Sequence, residues 1–195
     1  MVIAFYDIET TGFSRDHNDI IEISAVAWDS VTETELDTFS TYIKPMGPIP
    51  KPITDLTGIS AATVANAPRF WEVAPQLFAW LKNWNVDKMC GYNSDVFDWP
   101  FINAQIDRYK LRSKYTFEDV PQLDLMKQVR AMEKKGLLHL KEFGAREYGL
   151  SKLSVKQTIV AAYFGIEYDA HDSLNDCRAL KDIYLRLRNI DFNLM

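Results

Sequence analysis

Strand-like patterning is concentrated at the front of this chain and helical patterning at its back, and that order restricts the fold more than any other feature. Val2 to Asp7 reads as a short buried strand. Ile20 to Trp28 continues with alternating and branched residues, and Thr34 to Ile43 alternates again, so the first forty-odd residues predict a three-stranded meander. The segment KPMGPIPKP then predicts a loop, because its prolines remove backbone donors and oppose both helix and central strand; it leads into a short element at Thr57 to Ala62. Trp71, Leu77, Trp80, Leu81 and Trp84 recur at near-helical intervals, predicting an amphipathic helix over Phe70 to Trp84 whose tryptophans are core rather than a binding platform. Lys88 to Tyr92 reads as a fourth buried strand. Helical patterns follow at Ser94 to Tyr109, Val120 to Met132, Leu138 to Tyr148, Val155 to Phe164 and Ser173 to Leu187. Strands first and helices later imply an α/β fold, a mixed sheet covered by helices, with chemistry at strand ends and helix starts.

A chain of 195 residues, 47% of them hydrophobic, suits one domain over residues 1–195. No apolar run is long enough to span a bilayer, and MVIAFYDIET lacks the pattern of a secretory signal, so the expectation is a soluble protein with no membrane partner. Cys90 and Cys177 form neither a disulfide framework nor a zinc spacing, which points to reduced thiols and a cytoplasmic location. The net charge of −5 argues against a partner bound by lysine and arginine alone. Two bound divalent cations would change −5 to −1, so acidity does not exclude a phosphate-bearing substrate.

Three acidic features carry the chemistry. Asp7-Ile8-Glu9-Thr10-Thr11-Gly12 ends the opening strand, and residues two apart on a strand share a face, so Asp7 and Glu9 present their carboxylates together. About one Asp-x-Glu is expected by chance in a chain with this many acids. The placement is more informative, since an apolar strand ending in two same-face acids needs a cation or protonation to relieve their repulsion. In Gly91-Tyr92-Asn93-Ser94-Asp95-Val96-Phe97-Asp98, Ser94 is the expected helix cap and Asp98 falls in the first turns; ordinary helix electrostatics would explain either aspartate by itself. In His171-Asp172-Ser173-Leu174-Asn175-Asp176, five residues at about 100° each leave His171 and Asp176 about 140° apart on an ideal helix. His171 therefore belongs in the preceding loop, over a site that Asp176 approaches from the helix. His17 and His139 read as surface residues.

In this order the motifs resemble those of the DnaQ-like, or DEDDh, exonuclease family, with D-x-E-T-T-G, N-x-x-x-F-D and H-x-A-x-x-D, and the resemblance spans nearly the whole chain. Leu56-Thr57-Gly58-Ile59-Ser60 with Ala67-Pro68 and Phe70, and Gln122-Leu123-Asp124, are also similar to family segments. The chain departs from the pattern at Tyr92, where histidine is common, and at Ser173, where alanine is usual. A competing tyrosine-type third motif exists as Tyr168 and Asp172; the continuation Asp176-Cys177-Arg178-Ala179-Leu180 favours His171 with Asp176.

The resemblance implies a ribonuclease H-like mixed five-stranded sheet flanked by helices. It implies a 3′-5′ exonuclease that hydrolyses phosphodiester bonds and releases nucleoside 5′-monophosphates. Asp7, Glu9, Asp98 and Asp176 would hold two Mg²⁺ or Mn²⁺ ions roughly 4 Å apart, and His171 would accept the proton of the attacking water. Thr10, Thr11, Gly12, Phe13, Asn93 and Phe97 would contact the terminal nucleotide, the two phenylalanines by stacking. Arg108-Tyr109-Lys110-Leu111-Arg112-Ser113-Lys114 is the best basic patch for the rest of the strand, although a solvated helix end explains it equally well. The expected partner is the 3′ end of single-stranded DNA. RNA is the main rival, because no motif reveals contacts to a 2′ hydroxyl. A catalytically silent polymerase accessory module is disfavoured by the presence of all five catalytic groups. The few residues after Asp176 suggest a free-standing enzyme, and a homodimer is left open.

Overall fold

A computed structural model describes residues 1–112 and 120–191. Five strands, β1 (Val2–Thr10), β2 (Ile20–Asp29), β3 (Thr34–Tyr42), β4 (Lys88–Gly91) and β5 (Gln122–Asp124), form one sheet in the order β3-β2-β1-β4-β5. β1, β2 and β3 are antiparallel neighbours; β4 and β5 run parallel to β1. The helices among the described residues are α1 (Lys51–Thr57), α2 (Phe70–Asn83), α3 (Asp98–Arg108), α4 (Leu125–Lys134), α5 (Leu140–Tyr148), α6 (Gln157–Tyr163) and α7 (Ser173–Ile190). None of them is long and apolar enough to cross a membrane.

Alternation along β1 sorts its side chains into two cores. Ala4, Tyr6 and Ile8 join Val73 and Leu77 of α2 and Phe101 and Ile102 of α3 on one face. Ile3 and Phe5 join Leu125 and Val129 of α4 and Leu180, Ile183 and Leu187 of α7 on the other. Asp7 and Glu9 continue the second series, so both acids face the side that α7 covers. β1 pairs with β4 only over Ile3 to Phe5, yet with β2 as far as Thr10. Its last five residues therefore extend past β4 with one edge open to other groups.

Several sequence expectations need correction. Lys51 and Pro52 are not loop but the first turn of α1, where proline's missing N–H costs nothing. That helix ends at Gly58 in a left-handed conformation, so no regular element spans Thr57 to Ala62. Ser94 does not cap a helix: α3 begins at Asp98, with Phe97 before it. The pattern over Val120 to Met132 conceals strand β5, after which the Asp124 carboxylate caps α4 by accepting from the Met126 amide at 3.0 Å. Three strand residues running straight into a helix are too few to show a period of two.

Candidate active site

Asp7 and Glu9 project from the overhanging end of β1, and Asp176 reaches them from the first turn of α7. One carboxylate oxygen from each lies within 4.8 Å of the others. Asp98 is held beside this trio rather than inside it. Its buried carboxylate accepts from the Ile8 amide, on the part of β1 that β4 does not reach, and from its own amide.

The electrostatic cost of this arrangement is high. Burial, followed by the charges of Asp98, Asp176, Glu9 and Glu22, pushes Asp7 well above the usual carboxylate range. Burial and then Asp176 push Glu9 to about 8, and burial pushes Asp98 to about 7 despite its two amide hydrogen bonds. Asp176 is also raised by burial, against the opposing pull of the His171 amide, the Tyr168 hydroxyl and the His171 ring. Among the described residues no lysine or arginine is ion-paired with any of the four. Hard oxygen donors crowded together without a compensating side chain are the donor set of a divalent cation such as Mg²⁺ or Mn²⁺.

His171 precedes the Asp172 cap of α7, in a left-handed conformation with φ 69°. Its ring is exposed and its amide donates to Asp176 Oδ2 at 2.8 Å, so the loop that carries the ring is tied to the helix acid. Of the rival third motif, Asp172 is engaged in capping and accepts from the Asn175 amide at 2.9 Å, whereas the Tyr168 hydroxyl reaches Asp176. His17 and His139 are exposed.

The turn after β1 is tied internally. Thr10 Oγ1 donates to the Gly12 carbonyl at 2.7 Å, and Thr11 exchanges bonds with Asp19 at 2.8 and 2.9 Å. At Gly12 a Cβ would come within 2.8 Å of Asn18 Oδ1. These contacts present Phe13, which is 86% exposed and meets the edge of Phe97 at 6.3 Å; Phe97 in turn packs on Phe101 at 5.4 Å. Phe13 is therefore not packed in the core, whereas Phe97 is partly buried against it. Asn93 sits in a left-handed turn with its amide on Asp124 Oδ1 at 2.9 Å. Of the expected basic patch, Arg108 is paired with Asp19 at 2.7 Å and Arg112 with Asp107 at 2.5 Å; Ser113 and Lys114 lie outside the described residues. Trp80 and Trp84 both donate to Asp37 at 2.9 Å and so fasten the end of α2 to β3, whereas Trp71, beside Tyr109 at 4.9 Å, is 38% exposed and departs from the expectation of a core residue.

Two supporting residues, Glu22 and Gln157, escaped the sequence reading, and two that it named, Ser173 and Asp124, make contacts it did not foresee. Glu22, directly opposite Glu9 in the β1–β2 register, is a buried fifth acid held by the Ser173 hydroxyl and amide. Its position in the apolar run Ile20-Ile21-Glu22-Ile23 was the available signal. Ser173 Oγ also lies 2.6 Å from Ser24 Oγ, a bond that alanine could not make. Asp124 orders the β4–α3 turn through the amides of Asn93 and Asp95. Gln157 Nε2 donates to the Asp176 backbone carbonyl at 2.9 Å and approaches its Oδ1 at 3.4 Å. No spacing in the sequence marks that last contact.

Comparison with known proteins agrees with this geometry. The RNase T exonuclease profile matches residues 4–184. A PolC-type DNA polymerase III from Caldanaerobacter subterraneus is 36% identical over 118 residues, covering 60% of this chain and 8% of that protein. The DNA polymerase III subunit epsilon of Aquifex aeolicus is 29% identical over 182 residues, covering 93% of this chain and 77% of that protein. The chain spans only 8% to 13% of the length of the first three PolC-type relatives. Among solved structures, E. coli exonuclease I in complex with a dA16 oligonucleotide superposes with TM-score 0.76 at 20% identity, covering 99% of this chain and 42% of that one. The nuclease domain of 3′hExo, a DEDDh family member bound to rAMP, gives 0.72 at 22%, covering 97% and 92%. With its motifs, its ribonuclease H-like mixed sheet and a profile match over nearly its full length, the chain belongs to this exonuclease family.

Proposed function

We propose that residues 1–195 form one metal-dependent exonuclease domain that removes nucleoside 5′-monophosphates from the 3′ end of single-stranded DNA. The carrying observation is the trio Asp7, Glu9 and Asp176, with oxygens within 4.8 Å of one another, Asp98 beside it and the His171 loop tied to Asp176. Asp7, Glu9, Asp98 and Asp176 would hold two Mg²⁺ or Mn²⁺ ions. When bound, the ions would offset the charge that develops on the attacking and departing oxygens of the phosphodiester. His171, exposed at the rim, accepts the proton of the attacking water, the general-base role of an imidazole. Phe13 and Phe97 stack the terminal base, and the Thr10 to Gly12 turn positions its sugar. Stacking tolerates any base, which suits an exonuclease without sequence preference.

DNA is preferred over RNA because the relatives at higher identity are DNA polymerase III proteins. The rAMP bound by 3′hExo makes RNA the reading to test against it. The decisive experiment compares matched DNA and RNA oligonucleotides, labelled at the 5′ end, with Mg²⁺, with Mn²⁺ and with chelator. Stepwise shortening of the DNA that chelator abolishes is the expected result. Faster loss of RNA would transfer the proposal to an exoribonuclease, and no metal-dependent shortening of either would refute it.

A further inference from the structure

A scissile phosphate is flanked by two nucleosides, one departing and one left behind. The Phe13 and Phe97 pair, carried by the turns that follow β1 and β4, can serve only one of them. Elsewhere in the sheet, the strand register runs Glu9, Glu22, Tyr42 straight across β1, β2 and β3. Cross-strand neighbours share a face, so Tyr42 stands in the same row as the acids, two strand spacings or roughly 10 Å from Glu9. Glu22 and Ser24 are buried in this region, whereas Tyr42 is 43% exposed. The Glu22 charge, followed by burial and the Asp172 charge, raises the Tyr42 phenol above its ordinary range.

Beside the ring is a cavity of about 310 Å³, walled by Thr41, Tyr42, Thr63, Asn66 and Pro68. Lys44, two residues on, is anchored there by its amide to the Pro68 carbonyl and by Nζ to the Ala65 carbonyl, both at 2.8 Å. An exposed aromatic face, amide and hydroxyl side chains and a nearby ammonium are the elements of a nucleotide-binding surface, and they continue the row of acids. Leu56, Val31 and Met46 are also exposed, but none stands in register with the acids.

We propose that Tyr42 is the stacking residue for the base on the 5′ side of the scissile phosphate, and that the groove toward Thr63 and Asn66 carries the retained strand. This rests on the exonuclease reading above and deepens it. The test compares two substrates: an oligo-dT and the p-nitrophenyl ester of thymidine 5′-monophosphate, which has no upstream nucleoside. Tyr42→Ala should lower kcat/KM on oligo-dT by roughly 5- to 160-fold, the range of one lost base stack, mainly through KM, and leave the ester unchanged. Tyr42→Phe should match the parent protein on both, since stacking needs the ring and not the hydroxyl. Equal loss on both substrates, or loss on neither, would overturn the subsite. So would size-exclusion chromatography in which Tyr42→Ala alone converts a dimer to a monomer, because the residue would then serve a second copy. If the parent protein cleaves neither substrate, the DNA exonuclease reading on which the subsite rests has failed, which is a separate outcome.

Discussion

Replacing Glu9 with glutamine should make the metal-free protein more stable while destroying its activity. Burial and the Asp176 charge lift the Glu9 carboxyl from 4.5 to about 8. At about 1.36 kcal/mol for each pH unit, that gap sets a ceiling of about 5 kcal/mol on the cost of ionising it in the fold. Residual solvent screening and the sharing of protons within the acidic cluster reduce the expected gain to roughly 1–3 kcal/mol. The sign follows from linkage. A carboxyl raised in the folded state favours folding while it stays protonated, and that contribution is lost as pH climbs from 4.5 through about 8. Glutamine mimics the protonated form at every pH. In chelator, thermal unfolding followed by circular dichroism should therefore show no difference between Glu9→Gln and the parent near pH 4.5. At pH 8.5 the variant should unfold roughly 2–12 °C higher, using about 2–4 °C per kcal/mol for a chain of this size. Mn²⁺ should reverse the order by stabilising the parent more than the variant. A gain equal at both pH values, or a variant less stable than the parent at pH 8.5 in chelator, would refute the claim that repulsion among these acids dominates the site.

Asp98→Asn keeps an oxygen for the Ile8 amide, so the melting temperature in chelator should hold while oligonucleotide cleavage falls by at least a hundredfold. His171→Ala should reduce kcat by roughly two to four orders of magnitude, whereas Tyr168→Phe should cost less than tenfold; the opposite ranking in single-turnover assays would favour the tyrosine-type motif. Asp124→Ala leaves the amides of Asn93, Asp95 and Met126 without their acceptor and should destabilise by roughly 2–4 kcal/mol in urea titrations. Gly91→Ala should destabilise comparably, because a Cβ there would meet Ser94 Cβ at 2.4 Å and Tyr6 Cε1 at 3.2 Å.

Much of this site could be read before any coordinates, because its parts follow local rules. Period-two alternation put Asp7 and Glu9 on one face, and the helical angle between His171 and Asp176 excluded the histidine from the helix. The structure places His171 ahead of the Asp172 cap accordingly. The first three strands were legible for the same reason: each is nine or ten residues long, enough to reveal its period. β5, with three residues merging into α4, was not.

The linear order of the chain thus nominated the candidate acids and histidine: Asp7 and Glu9 by strand alternation, and Asp98, His171 and Asp176 through a succession of motifs that resembles the exonuclease family. Tertiary structure alone decided how they are held: that Asp98 caps the Ile8 amide, that Glu22 stands opposite Glu9, that Gln157 holds Asp176, and that Tyr42 falls in line with the acids. Those relations are set by strand register and by the overhang of β1 past β4. Register arises from pairing between segments far apart in sequence, and no local periodicity records it.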